Sequence, residues 1–188
     1  MMQVAMQGMG SAIKGFVLQG GDLVAGLPTT LISQRLVLLA VWIPKAVTIT
    51  GVRFVLSVSG TYTASNYNGV GLYSHSSGTL SLVASAATDG NLWKGFTGTV
   101  LSKAFTGTYS AAAGLFYIGA IYSASSGTAP NIFSSTKSGI GTQTIFSSFD
   151  FTNSNKTSGT LASQTTMPAT VAMSSTTNTQ YRPMLYLY

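Results

Sequence analysis

The sequence predicts an all-β protein, folded as a single antiparallel β-sandwich of jelly-roll type with an extended N-terminal arm. Three observations predict this fold class. Helical periodicity is not sustained anywhere along the chain. About nine or ten short apolar segments are separated by turns rich in Gly, Ser and Asn. The length of 188 residues fits one all-β domain, and a jelly roll is the sandwich that best accommodates this number of strands.

The first thirty residues differ in texture from the rest, so we assign residues 1–30 to an arm and residues 31–188 to the β-sandwich domain. The arm contains a cluster of methionines and six glycines. Methionine and glycine together form a pliable apolar ribbon, which can mould itself to a partner surface. Two interpretations remain open: the arm folds back on its own domain, or it anchors the protein in a neighbour.

The next two segments predict long strands. Residues 31–43 contain the run LVLLAVWI and are followed by Pro44, and an unbroken apolar run predicts burial on both faces of a sheet. Residues 47–58 form the second strand. Its apolar residues change phase, because Val47 and Ile49 follow one register while the apolar residues from Val52 onward follow the other. This shift predicts a bulge or bend at Thr50-Gly51.

The centre of the sequence predicts a hairpin followed by a buried strand. Apolar and polar residues alternate within residues 70–75 and again within 80–85, on either side of Ser76-Ser77-Gly78, which is typical of two half-buried strands and a tight turn. Asp89-Gly90 predicts a second turn. Residues 115–122 are apolar on both faces, which predicts a covered central strand.

The other segments are weaker. We expect strands at residues 100–105, 143–149, 167–173 and 181–188, and a loop-rich stretch over residues 123–141.

The composition favours a protein that works inside an assembly. Only 6% of its residues are charged, against about 25% in a typical globular domain, so Ser, Thr, Gly and Asn supply the polar surface. A chain so poor in charge suits a surface covered by neighbours. The strands at 36–43 and 115–122 also carry more apolar surface than one small sandwich covers, which predicts a homo-oligomer.

The charge pattern and the apolar runs exclude other classes of partner. The net charge is +6, but no two Lys or Arg residues are sequence neighbours, so we do not expect nucleic-acid binding. The longest apolar run, residues 36–43, is too short for a spanning helix, so membrane insertion is not expected. Residues 1–10 lack the basic start of a secretory signal, which predicts synthesis in the cytoplasm without export by that route.

Residues for catalysis are scarce, and we expect no enzyme, no cofactor and no metal site. His75 is the only histidine and has no acidic neighbour in sequence. The three carboxylates, Asp22, Asp89 and Asp150, each lie beside a turn, where Asp commonly accepts hydrogen bonds from the local backbone. Cys and Glu are absent from the sequence.

A shallow receptor site for sugars is the binding function that the residues suggest. Tyr62, Tyr67, His75 and Trp93 lie in or beside loops rich in Asn and Ser. Aromatic faces stack on the C–H faces of sugars, while amides and hydroxyls bind sugar hydroxyls. We therefore name these four residues as candidate receptor contacts. Trp93 follows a turn and has an equal alternative role as part of the core.

Several segments resemble the jelly-roll domain of tailed-bacteriophage fibre and appendage proteins. They span residues 34–122 and include IPKAVTITGVRF, GVGLYS, GTLSLVASAATDGNLWKGF, KAF and AAAGLFYIGAIYSAS. The resemblance implies a jelly-roll fold and a place in the virion, as a tail fibre, head fibre, spike or capsid decoration subunit. It further implies a homotrimer. In that context we expect the arm to attach to other virion proteins and the loop aromatics to bind a host cell-surface glycan as receptor. The alternatives are a free-standing carbohydrate-binding module and a glycan depolymerase.

Overall fold

The computed structural model describes residues 16–17, 27–63, 67–136, 158–179 and 181–188. Most of these residues form strands, and one short 3-10 helix lies at Met173–Ser175. The strands are β1 (Phe16–Val17), β2 (Leu27–Thr30), β3 (Arg35–Ile43), β4 (Val47–Val58), β5 (Thr61–Tyr62), β6 (Gly69–Ser76), β7 (Thr79–Ser85), β8 (Val100–Ala111), β9 (Gly114–Tyr122), β10 (Gly127–Thr128), β11 (Asn131–Thr136), β12 (Ser158–Leu161), β13 (Thr170–Ala172), β14 (Thr177–Asn178), β15 (Tyr181–Pro183) and β16 (Leu185–Leu187).

Eight of these strands form a roll of two antiparallel sheets. The first sheet has the order β7-β6-β9-β3, and the second has the order β2-β11-β4-β8. Between consecutive strands of the roll the chain changes sheet, except at the β6–β7 hairpin. This connectivity is that of a jelly roll, so the predicted fold class is confirmed.

Shorter strands extend the two sheets. In the first sheet β13 pairs with β7, while β12 and β1 pair with β3 and β14 pairs with β12. In the second sheet β15 pairs with β11 and β16 pairs with β4. In the first sheet β12 and β13 therefore extend the two edges of the roll, whereas in the second sheet β15 and β16 pair with inner strands.

Two local predictions are confirmed. Ser77 and Gly78 form a two-residue turn between β6 and β7, with φ angles of 48° and 77°. The β4–β8 register shifts between Ile49 and Gly51, where the bulge was expected. A Cβ atom on Gly51 would lie 2.8 Å from the Cα of Ala104, so the bulge brings the backbones too close together for a side chain.

The first sheet is buried on both faces. Its inner face packs against the second sheet around residues such as Phe54 and Ile118, and we call this cluster the main core. Its outer face carries a second cluster, which we call the outer core. The outer core contains Leu36, Leu38, Ala40, Tyr73, Leu80, Tyr117, Ile121, Met167, Val171 and Met173.

This second cluster removes one reason to expect a homo-oligomer. We expected a neighbouring copy to cover the apolar strands, but Met167, Val171 and Met173 of the same chain lie on the outer face. These strands therefore give no reason to expect a partner, and the trimer rests on the resemblance alone. The hairpin strands were expected to be half-buried, which is wrong for β6, because its residues 69–73 are all buried.

Several boundaries differ from the predicted ones. Asn131–Thr136 forms β11 inside the stretch that we expected to be loop, and Leu27–Thr30, the end of the predicted arm, forms β2 of the roll. The strand expected at residues 167–173 is limited to Thr170–Ala172. The strand expected at 143–149 lies outside the described residues, and so does most of the arm.

The strand registers define two ends of the roll. One end carries the connections 31–34, 59–68, 86–99 and 123–130, and we call it the loop end. The other end carries the short connections 44–46, 77–78 and 112–113, and we call it the turn end. Long connections at one end position the residues that can bind partners.

Candidate functional site

The four candidate receptor contacts are not brought together. Tyr62, Tyr67 and Trp93 lie at the loop end, whereas His75 lies next to the β6–β7 turn at the turn end. A single site made of all four is therefore excluded by the fold, and each must be considered by itself.

Trp93 belongs to the main core. Its side chain is fully buried, its ring lies 4.8 Å from that of Phe54, and its indole Nε1–H donates a 2.9 Å hydrogen bond to the Ile121 carbonyl oxygen. A tryptophan with no exposed face offers nothing for a sugar to stack on. Trp93 is therefore a core residue that closes the loop end, and its prediction as a receptor contact is wrong.

Tyr62 is also buried rather than presented to solvent, since only 5% of it is exposed. Its ring meets Tyr122 edge-on at 5.1 Å, and its hydroxyl accepts a 3.2 Å hydrogen bond from the Trp93 backbone N–H. Burial raises the pKa of Tyr62 to about 12, so the phenol is neutral at physiological pH. The prediction that a receptor stacks directly on the Tyr62 ring is therefore wrong.

Tyr67 and His75 remain partly exposed. Tyr67 packs beside the outer core, and its ring lies against Gly69, where a Cβ would come within 3.1 Å of it. The His75 ring lies 5.9 Å from the ring of Tyr117 and is tilted by 50° relative to it. Both side chains keep part of their surface, and their contact with a receptor stays a prediction.

Hydrogen bonds and an ion pair at Asp89 hold the first half of the β7–β8 connection, residues 86–99. The Asp89 carboxylate accepts a 2.9 Å hydrogen bond from the Asn91 backbone N–H and forms a 2.7 Å ion pair with Lys103. The hydrogen bond from Lys103 holds the pKa of the Asp89 carboxyl below its usual range. The Asp89 carbonyl oxygen accepts a further hydrogen bond from the Leu92 N–H, as expected for the predicted turn.

The second half of this connection presents Phe96 to solvent. Phe96 is 84% exposed, more than any other exposed large hydrophobic residue among those described. The backbone around it is fixed, because the Gly98 N–H donates to the Leu56 carbonyl at 2.8 Å and the Thr99 hydroxyl donates to the Phe96 carbonyl at 3.1 Å. A phenylalanine held in water by an ordered loop is a candidate contact residue.

The sequence pattern does not single out Phe96 as an exposed residue. The segment WKGF contains two aromatic residues three positions apart within a turn, where neither strand nor helix periodicity says which one faces the core. Only the fold shows that Trp93 is buried and Phe96 is exposed.

Lys94 lies between these two aromatics and is partly exposed. Its ammonium nitrogen lies 4.9 Å from the centre of the Tyr62 ring, within the range of a cation–π contact. Within the described ranges the only carboxylate side chain is that of Asp89, which is paired with Lys103. Lys94 therefore keeps a positive charge that no described carboxylate balances.

An open cleft of about 360 Å³ lies where the edges of β7 and β8 meet. The Thr106 hydroxyl donates a 3.2 Å hydrogen bond to the Ser85 carbonyl across it. The cleft has no ionisable lining residue and is formed by Leu82, Val83, Ala84, Ser85, Thr106, Gly107 and Thr108. Its hydroxyls and small apolar groups suit a neutral ligand.

The described residues include neither a candidate metal site nor a candidate membrane-spanning helix. Among them, no group of three or more His, Asp or Glu side chains is placed to hold a metal ion. The helical content of the same residues includes nothing long and apolar enough to span a bilayer. Asp22 and Asp150, the other two carboxylates considered for catalysis, lie outside the described part of the chain.

Comparison of the sequence with protein-family models finds no matching family, and comparison with curated proteins finds no match.

Proposed function

We propose that this protein is a non-enzymatic structural protein of a bacteriophage particle. It is a jelly-roll subunit of a fibre, spike or decoration on the head or tail, and it contributes to attachment to the host surface.

The location of the resembling segments supports the virion role. GVGLYS lies in β6, GTLSLVAS comprises the second residue of the β6–β7 turn and all of β7, and GLFYIGAIY is β9. Three of the four strands of the first sheet therefore carry the resemblance to phage appendage proteins. The segment that follows β7, ATDGNLWKGF, supplies the ordered connection at the loop end.

Composition supports an assembled protein. With 6% charged residues, the chain depends on hydroxyl and amide groups for its polar surface. Such a surface is better suited to repeated contacts with neighbouring subunits than to high colloidal solubility.

The observation that carries the attachment role is the exposure of Phe96 on an ordered loop. Full burial of a phenylalanine side chain is worth about 1.5–3 kcal/mol, and an 84% exposed one obtains little of this from the fold. A partner that covers the ring supplies that free energy to binding. The loop end, with Phe96 at its surface, is therefore the part of the molecule that we assign to host contact.

The test uses phage particles and the purified protein. Antibodies against the protein are expected to label intact particles in electron micrographs, at the head or at the tail. Purified protein is expected to compete with particles for adsorption to host cells, and Phe96→Ser is expected to compete less well. Trp42→Ser is the matched control, because Trp42 is an exposed aromatic residue near the turn end.

The outcomes separate the candidate roles. Labelled particles whose adsorption the purified protein does not inhibit would indicate a decoration without host contact, which overturns the attachment role. Unlabelled particles would overturn the virion role. A monomeric protein that is absent from particles and binds glycans would favour the carbohydrate-binding module.

A further inference from the structure

We propose that the loop end contains a binding site for an anionic saccharide, formed by Lys94 and Phe96. This inference rests on the proposed attachment role and names the ligand chemistry of the same surface: a sugar unit that carries a carboxylate or a phosphate.

Lys94 carries a charge that no described carboxylate side chain neutralises. Asp89, the only carboxylate side chain in the described ranges, is 2.7 Å from the Lys103 ammonium, so it is not available to Lys94. Burial raises the pKa of the neighbouring Tyr62 to about 12, so this phenol does not supply a negative charge either. The Lys94 ammonium can therefore bind an external anion without first breaking an ion pair with a described residue.

The ammonium group of Lys94 is held in place by an aromatic ring. The contact with the Tyr62 ring, 4.9 Å from the Lys94 nitrogen to the ring centre, restricts a side chain that is otherwise flexible. Tyr62 itself is fixed by Trp93 and Tyr122. A cation held on a rigid support loses less conformational entropy when a ligand binds.

The same connection also carries an exposed aromatic ring. Phe96 is two residues from Lys94 and presents its ring to solvent, and its neighbours Thr97 and Thr99 are exposed hydroxyl residues. An aromatic face takes the C–H face of a sugar ring, and hydroxyl groups pair with those of the sugar. A neutral sugar would use Phe96 but not Lys94, whereas an acidic sugar uses both.

Polyanions of other kinds fit less well. Nucleic-acid binding requires several cations on one face, and residues 86–99 contain Lys94 alone. The net charge of +6 nevertheless attracts any polyanion at long range, which increases the rate of encounter with an anionic cell surface.

The experiment measures binding of purified protein to three saccharides of matched length: oligogalacturonate, a glycerol-phosphate polymer bearing sugars, and neutral dextran. We expect at least one anionic saccharide to bind more tightly than dextran, with an affinity that falls as salt is added. The first two saccharides separate a carboxylate ligand from a phosphate ligand.

Variants then locate the site. Lys94→Gln is expected to weaken anionic binding about two- to fivefold and to leave the affinity for dextran unchanged. Phe96→Ser is expected to weaken binding of every saccharide that the parent binds. Lys45→Gln removes the same charge from an exposed residue at the turn end and is expected to bind like the parent.

Three results would overturn the inference. These are equal affinity of the parent for anionic and neutral saccharides, an unchanged Lys94→Gln variant, or a Lys45→Gln variant that loses as much affinity as Lys94→Gln. The attachment role is tested separately, by host-cell binding and by the presence of the protein in particles. If host-cell binding depends on Phe96 but not on Lys94, attachment stands and the anionic ligand is rejected. If the saccharides bind but particles lack the protein, the site stands and the virion role fails.

Discussion

The two sheets of the roll are covered differently. In the first sheet, β9 is buried continuously from Phe116 to Tyr122, so both of its faces pack against protein. In the second sheet, most residues of β8 are exposed or half-buried, and its buried side chains face the main core. One sheet therefore has a core on each face, and the other has a core on one face and solvent on the other.

The difference shows that an unbroken apolar run predicts burial of both faces of a strand. It does not predict which segment covers each face. The run at residues 36–43 predicts that both faces are buried, and they largely are. The cover of the outer face comes from Met167, Val171 and Met173, more than 120 residues later in the same chain. A sequence pattern reports on local structure, whereas tertiary packing determines which segment covers the face.

The largest expected effect on stability comes from a large-to-small substitution in the outer core. Met173 is 1% exposed, and Met173→Ala is expected to lower the free energy of unfolding by about 2–5 kcal/mol. Urea denaturation measures this loss. Val100→Ala, on the exposed side of β8, is the control and is expected to change stability by no more than about 0.5 kcal/mol.

Protein concentration shows whether a second copy takes part in this cover. If the cover belongs to the same chain, the difference between the urea midpoints of the parent and of Met173→Ala does not depend on protein concentration. A difference that changes with concentration would mean that a second copy contributes to the cover.

A smaller effect is expected at the bulge where β4 meets β8. Gly51→Ala places a Cβ against the backbone of Ala104 and the ring hydroxyl of Tyr188, which are each 2.8 Å from its position. The backbone must shift, and we expect a loss of about 1–3 kcal/mol in thermal or urea unfolding. A variant as stable as the parent would show that the β4–β8 register is more adaptable than the structure indicates.

The bulge illustrates what sequence could predict. The phase change between Ile49 and Val52 located it to within a residue, because side chains in a strand alternate strictly between faces. The same rule missed β11, where Ile132 and Phe133 are followed by polar residues and the strand is specified by its pairing with β2 and β4. Weak strands depend on their neighbours, and no local pattern identifies them.

The candidate site was predicted less well than the fold. The sequence places aromatic residues in loops but does not assign their exposure, so it predicts Tyr62 as a contact and Trp93 as either a contact or a core residue, and both are buried. Phe96 was missed for the same reason. Exposure in a turn depends on which residue anchors the loop, and Trp93 does so here through hydrogen bonds at both its backbone and its indole.

The smallest expected effect concerns the Asp89–Lys103 ion pair at the loop end. The pKa of the Asp89 carboxyl is lowered from its ordinary value of 3.8, so the ion pair stabilises the fold above that pH and is lost as pH falls through the lowered value. Asp89→Asn is expected to melt at a lower temperature than the parent near neutral pH. Thermal melts from about pH 6 to pH 2 should show this difference shrinking, and a difference that is constant with pH would contradict the ion-pair explanation.

The outer face is closed by the protein itself, and we propose that partners bind at the loop end. Hydroxyl-radical footprinting of the free protein and of the protein bound to host-envelope fragments tests both halves. Met167 and Met173, which are 8% and 1% exposed, are expected to react slowly in both states despite the high reactivity of methionine. Phe96, which is 84% exposed, is expected to react in the free protein and to become protected on binding. Rapid oxidation of the two methionines in the free protein, with protection on binding and none at Phe96, would contradict the account.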